Sequence, residues 1–143
     1  MAVQLGTSIN ALDRVSTALA AAGATATPAT PLDLGPQKGR NQPFLKLQVS
    51  VPATPDLVEA KTLIFNVTDC DTSGGSYAAV AAMSAIMTVT GAAAAAGGPA
   101  SSILLPVPDH MRRFVKVTCV VLAAAGDNTG VSYVMEVVKD HQG

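Results

Sequence analysis

Apolar and polar residues alternate one by one in several segments of this chain. Within residues 44–51, residues 45, 47, 49 and 51 are apolar, and they alternate with the polar residues Lys46, Gln48 and Ser50. A period of two places successive side chains on opposite faces of a β-strand. The same alternation recurs in residues 60–67, 112–121 and 131–138. We therefore predict a half-buried strand in each of these segments.

Shorter segments add further strands. Residues 18–31 are mostly Ala, Thr, Gly and Pro with two X-Pro steps, which favours an extended connection or an edge strand over a helix. Residues 77–90 mix alanine with β-branched residues, and we interpret them as two short strands. Residues 15–19 and residues 103–105 are each interpreted as one further short strand. About eight short strands predict an all-β, jelly-roll-like antiparallel sandwich.

Turn residues separate these strands. Residues 69–75 and 126–130 are rich in Asp, Asn, Ser, Thr and Gly, which are the residues that favour turns. We expect the second of these turns to join the last two strands as a hairpin. Residues 104–117 predict a strand, a proline-containing turn and another strand.

The chain length fits one domain. A chain of 143 residues and 14.4 kDa suits a single core, so we assign residues 1–143 to one jelly-roll domain. Residues 1–14 carry Leu5, Ile9 and Leu12 at roughly helical spacing. We interpret this segment as a short helix or an N-terminal arm.

The composition indicates a protein partner. Charged residues make up 13% of the chain, against about 25% in average soluble domains. Apolar residues reach 49%, and the mean hydropathy is +0.38. A weakly charged surface tends to associate, so we expect an oligomer or a component of a larger shell.

Net charge and the apolar segments exclude other partners. With a net charge of −1 the chain has no basic excess for binding phosphate backbones, so we expect no direct nucleic-acid contact. No signal-peptide pattern is visible, and the alanine run at residues 92–96 is too short to span a bilayer. We expect a soluble, unexported protein without membrane contact, in which Cys70 and Cys119 are reduced and buried.

Candidate catalytic and metal-binding residues are few. Asp69–Gly74 matches the opening of an EF-hand loop, but position twelve is Val80 instead of a carboxylate, so we interpret it as a turn. His110 and His141 are too few for a cupin metal site. His110 beside Asp109 lacks the accompanying motif of a hydrolase, and we interpret it as part of a solvated turn. We therefore predict no enzyme activity, no metal and no cofactor.

Three basic residues and two tyrosines are candidates for binding. Arg112 and Arg113 lie at the start of the strand predicted at residues 112–121, where arginines cover a sheet edge or meet a carboxylate across an interface. We take them, with Lys46 and the arm residues Leu5, Ile9 and Leu12, as candidate contacts with a partner. Tyr77 and Tyr133 offer only a weak platform for stacking a sugar.

An ordered series of short motifs resembles a known family. Taken together, the pieces resemble the capsid cement proteins of short-tailed bacteriophages of the Bordetella phage type, over roughly residues 15–138. Specificity comes from the order of the pieces and not from any one of them. The matching pieces are Leu32–Gly35, Pro43–Val49, Asn66–Asp69, Tyr77–Ala79, Leu105-Pro106 and Arg113–Val117.

The resemblance implies a structural role. It implies a jelly-roll subunit that assembles as a trimer on the outer capsid surface of the virion and bridges major capsid proteins, so that the shell is stabilised. The predicted partners are the major capsid protein and further copies of this chain. The alternative from the residues is a non-catalytic adhesive or ligand-binding β-sandwich, which would bind glycans through Tyr77 or Tyr133.

Overall fold

A computed structural model describes residues 11–35 and 45–139, and the regular secondary structure within these ranges is entirely β-strand. Three of the strands have only two residues. The strands are β1 (Ala11–Ala18), β2 (Thr25–Ala26), β3 (Leu32–Asp33), β4 (Leu45–Val51), β5 (Thr62–Cys70), β6 (Ala78–Ala79), β7 (Met87–Thr90), β8 (Ser101–Pro106), β9 (Phe114–Val121) and β10 (Ser132–Lys139).

The strands form two antiparallel sheets with jelly-roll connectivity. The first sheet has the order β1-β10-β4-β8. In the second sheet β9 pairs with β5, while β2 and β3 both pair with the free side of β9, and β6 and β7 both pair with β5. If each pair of short strands counts as one position, each sheet has four positions, and most connections cross between the sheets. This confirms the predicted all-β sandwich of about eight strands.

The core lies between the inner faces of the two sheets, as the alternation predicted. Burial alternates along β4, along most of β5, and along β9. Phe65 of the second sheet and Tyr133 of the first meet edge to face, with ring centroids 5.3 Å apart and an interplanar angle of 76°. Such aromatic pairs add to the apolar burial that holds two sheets together.

Side chains of the first sheet complete the hydrogen bonding of β9. The register of β2 would place Pro28 opposite Val117, and proline has no N–H to donate, so the strand breaks there and resumes as β3. The Val117 N–H instead donates to Met135 Sδ at 3.3 Å, and the Tyr133 hydroxyl donates to the Val117 carbonyl at 2.5 Å. Two bonds between the sheets therefore satisfy a buried backbone position.

The predicted hairpin between the last two strands is wrong. β9 belongs to the second sheet and β10 to the first, so residues 122–131 cross from one sheet to the other. The Asn128 side chain is buried in this connection and donates to the Ala125 carbonyl at 3.0 Å. Turn residues indicated that the chain bends here, but they carried no information about which strand β9 would pair with.

Candidate interaction surface

Arg112 lies just before β9 and is bound within its own chain. Its backbone N–H and its Nε donate to the two carboxylate oxygens of Asp69 at 2.8 and 2.9 Å. Its terminal Nη2 also donates to the Asp69 carbonyl at 2.8 Å. Asp69 is buried at the end of β5, where a carboxylate needs charge and hydrogen bonds to replace lost water. The pair fastens the β8–β9 connection to β5.

Arg113 makes a second ion pair beside the first. Its Nε and Nη2 donate to the two carboxylate oxygens of Asp33 at 2.8 and 3.0 Å. Its guanidinium also lies 4.9 Å from the centre of the Phe114 ring. The hydrogen bonds from Arg113 hold the pKa of Asp33 below its ordinary value of 3.8. This bidentate pair fastens β3 to the start of β9.

Both ion pairs lie at one end of the sandwich, which we call the arginine end. The register places Lys46 between Val138 and Pro106 in the same end row of the first sheet. The structure therefore brings Lys46, Arg112 and Arg113 to one end. Lys46 also has an interaction of its own.

The predicted N-terminal contacts are described only in part. Residues 11–14, which the helical interpretation included, belong to strand β1. The backbone of Leu12 therefore reaches the arginine end. Leu5 and Ile9 lie outside the described residues.

The internal ion pairs change how the two arginines are interpreted. Their side chains are 35% and 40% exposed, so part of each guanidinium faces solvent. Their charges, however, already meet carboxylates of the same chain. A role for these arginines in contacting a partner stays a prediction, whereas their role in fixing the ends of β3 and β5 is visible in the structure.

The opposite end of the sandwich exposes large apolar side chains together with the carboxylates of Asp56, Glu59 and Asp127. It is formed by the loops at residues 19–24, 52–61, 91–100 and 122–131, and we call it the apolar end. Val58, Val120 and Leu122 are large apolar residues that remain 43%, 38% and 41% exposed there. Exposed apolar groups gathered in one place are typical of interaction sites.

Backbone pairing brings these side chains into one corner. Val120 pairs with Ile64 on the outer face of the second sheet. The Leu122 N–H donates to the Thr62 carbonyl at 3.1 Å, and the Val58 N–H donates to the Ala125 carbonyl at 3.1 Å. We refer to Val58, Ile64, Val120 and Leu122 as the valine patch.

The loops that carry the valine patch are fixed in position. Thr54 and Gly98 exchange two backbone hydrogen bonds at 2.9 and 2.8 Å. Gly126 has a φ of +88°, and a Cβ there would lie 2.3 Å from the Asp56 carbonyl oxygen, so only glycine fits. Residues 52–61 and 122–131 therefore pack closely, and the patch is presented on an ordered backbone.

Sequence reasoning missed the valine patch, although one signal was available. Val120, Val121 and Leu122 are three consecutive apolar residues at the end of a strand. Alternate residues of a strand face opposite sides, so burying Val121 leaves Val120 and Leu122 facing outward. A break in an otherwise regular alternation was the information to use.

The residues that were considered for catalysis or metal binding are paired within the fold, buried, or exposed in a turn. The Asp69 carboxylate is bound to Arg112, and His110 is exposed in a turn. Within residues 11–35 and 45–139, no three potential metal ligands come together. Cys70 and Cys119 are free and buried, as predicted. Burial raises the pKa of the Cys119 thiol to about 12, which disfavours the reactive thiolate.

The tyrosine platform of the alternative hypothesis is not formed. Tyr133 was predicted as a candidate for stacking sugars, but its side chain is fully buried in the core, so this prediction is wrong. Burial also raises the pKa of its hydroxyl. Lys116 Nζ lies over the Tyr77 ring, 4.6 Å from the centroid. One face of that ring is therefore occupied.

Comparisons with known proteins do not assign this chain to a family. No family model matches it, and no curated protein is significantly similar to it. Among the described residues there is no helix long and apolar enough to cross a membrane.

Proposed function

We propose that this chain is a structural virion protein, a capsid cement subunit that binds the outer face of the capsid and bridges major capsid proteins. The observation that supports this most is the valine patch, an exposed apolar corner on ordered loops at one end of a jelly roll. Protein partners bury such corners. The motif series that resembles phage cement proteins supplies the specific partner.

The energetics favour attachment as an oligomer. Fully burying a valine or leucine side chain stabilises a complex by about 1.5–3 kcal/mol, and the three exposed members of the patch are each less than half exposed. One subunit would thus gain about 2–4 kcal/mol from them, no more than the roughly 4 kcal/mol that corresponds to millimolar affinity. Three linked subunits multiply weak contacts by avidity, so a trimer is the form we expect to bind.

Cementing also fits the remaining features of the chain. A subunit that binds the assembled shell, but not its separated parts, stabilises the shell by linkage. This requires a rigid scaffold and many modest contacts, and it requires no catalytic group, metal or cofactor. Weak net charge is likewise compatible with binding protein instead of nucleic acid.

Co-sedimentation tests the proposal. Purified protein is mixed, over a range of concentrations, with capsids of its source phage that lack it, and the bound copies per major capsid subunit are counted. We expect saturation at a fixed ratio. Absence of binding at every concentration would contradict a cement role.

A second candidate is a ligand-binding sandwich that acts outside a capsid. One observation favours it, an open groove with a volume of about 440 Å³ between residues 81–86 and the end of β8. Its apolar lining includes Met83, Ile86 and Leu105. Binding of an apolar fluorescent dye that Ile86→Asp abolishes, together with absence of capsid binding, would favour this candidate.

A further inference from the structure

The outer edge of β8 is unpaired in the part of the chain that the structure describes. β8 closes the first sheet and pairs only with β4. The Val107 N–H donates to the Leu45 carbonyl at 3.1 Å. This bond shows which residues of β8 direct their backbone groups toward β4. In an antiparallel sheet, successive residues of a strand direct their backbone N–H and C=O groups to opposite edges of that strand. Ser102 and Leu104 therefore direct their backbone N–H and C=O groups away from β4.

The two edges of the first sheet differ in their protection. The opposite edge strand, β1, carries the charged residues Asp13 and Arg14 and has an irregular register between Ala11 and Asp13. Charges and bulges are the features that prevent an edge from pairing with another chain. β8 has no bulge in its register, and residues 91–108 contain no charged residue.

The side chains of β8 also favour a partner strand. Leu104 is 50% exposed and is the most exposed of the large apolar residues that the structure describes. Residue 106 is a proline, so it has no N–H to offer on the side that faces away from β4. The pairing edge is therefore short and centred on Ser102 and Leu104. Such an edge suits a short, uncharged strand.

The ten residues before β1 have the composition of such a strand. Residues 1–10 contain no charged side chain. Val3, Leu5, Thr7 and Ile9 alternate with Gln4, Gly6, Ser8 and Asn10, which is the period of a strand with one apolar and one polar face. Ten extended residues reach roughly 33 Å, which exceeds the length of β8.

Geometry favours pairing with a neighbouring copy. Ala11 pairs with Val138 in the end row that also contains Lys46 and Pro106. β1 and β8 are three strand spacings apart, or roughly 14 Å. To reach its own β8, the segment would have to cross the end of the sheet and reverse direction. A neighbouring β8 requires no reversal.

We propose that residues 1–10 of one copy add as a strand to the free edge of β8 in the next copy, through the backbone of Ser102 and Leu104. Each copy then gives one strand and receives one, as in a reciprocal dimer or in a closed ring of three subunits. This assigns the N-terminal segment to a neighbouring subunit instead of the capsid. The inference does not rest on the proposed function, and its test contains no capsid.

The test measures molar mass in solution by light scattering for the full chain, for a deletion of residues 1–10, and for Leu104→Pro. Proline at position 104 removes an N–H that β4 does not use, so the fold is retained while the edge is blocked. Ser16→Lys, at an exposed position on the outer face of the opposite edge strand β1, is the control.

We expect an oligomer for the full chain and for Ser16→Lys, and at least a tenfold higher dissociation constant for the deletion and for Leu104→Pro. If circular dichroism shows that Leu104→Pro is unfolded, Ser102→Pro, which alters the same edge, replaces it. A monomeric full chain would overturn the proposal. An oligomer that survives the deletion but not the edge variant would also overturn it, because β8 would then pair with something other than residues 1–10.

Discussion

The two ends of the sandwich are built from the same strands but stabilised in different ways. At the arginine end, Asp33 and Asp69 accept hydrogen bonds from two consecutive arginines, and these pairs fix β3 and β5 to the start of β9. At the apolar end, backbone hydrogen bonds between loops hold the structure together, while large apolar side chains remain exposed. The arginines at the first end pair with carboxylates of the same chain, whereas the exposed apolar side chains at the second end have no described partner.

This difference is the reason why we assign a role in folding to the arginine end and propose a role in binding for the apolar end. An ion pair that joins two elements of one chain is explained by the fold itself. Exposed valine and leucine side chains gain nothing from water, and we propose that a partner covers them. Arginines are easily noticed in a sequence and were natural candidates for binding. In this protein, the apolar residues of the valine patch are the better candidates.

Removing the Asp69 carboxylate is expected to have the largest effect on stability. Asp69→Ala leaves the backbone N–H and the Nε of Arg112 without their carboxylate acceptors, and we expect the free energy of unfolding to fall by about 2 kcal/mol. Asp71→Ala is the matched control, because Asp71 is largely exposed and lies 3.9 Å from Arg112. Urea unfolding measures both. Equal effects would mean that the arginine end does not stabilise the fold in this way.

A smaller effect is expected from Asp33, and it depends on pH. Because Arg113 lowers the pKa of Asp33 in the folded state, this carboxylate stabilises the fold above its ordinary pKa of 3.8. The stabilisation is lost as pH falls through the lower, folded-state value. Asp33→Asn should therefore be less stable than the parent chain near neutral pH, and the difference should shrink in strong acid.

Thermal unfolding from about pH 6 down to about pH 2 measures this difference. Arg113→Gln removes the largest cause of the lowered pKa of Asp33 and should flatten the same part of the pH profile. If the difference between the parent chain and Asp33→Asn were constant over this range, the ion pair would not be the source of the lowered pKa.

The smallest effect on stability is expected at the valine patch. Leu122→Asp changes an exposed side chain, and we expect the free energy of unfolding to stay within about 0.5 kcal/mol of the parent chain. A larger loss of stability would show that Leu122 belongs to the core, and would remove the contrast between the two ends.

Much of the fold could be predicted from the sequence because it depends on local periodicity. The alternation in β4, β5, β9 and β10 identified both the strands and their buried faces. Pairing depends on residues far apart in the chain, which is why the connection at residues 122–131 was predicted as a hairpin. Tyr133 could be placed on the inner face from its period, but its hydroxyl suggested a binding role because its partner at Val117 is not visible in the sequence.

The candidate surface was harder to predict than the fold. Arg112 and Arg113 were identified by residue type, but their partners Asp69 and Asp33 lie 43 and 80 residues away in the sequence. The valine patch combines Val58 with Val120 and Leu122, and only the packing of two loops brings these segments together. No local pattern contains that information.

The most direct test of the account is the capsid affinity of Leu122→Asp, measured by co-sedimentation beside the parent chain and Ser16→Asp. Ser16 is exposed on the outer face of the first sheet, so its variant adds the same charge away from the valine patch. We predict at least a tenfold loss of affinity for Leu122→Asp and less than a twofold change for Ser16→Asp. Equal affinities for the two variants would contradict the claim that the apolar end binds the capsid.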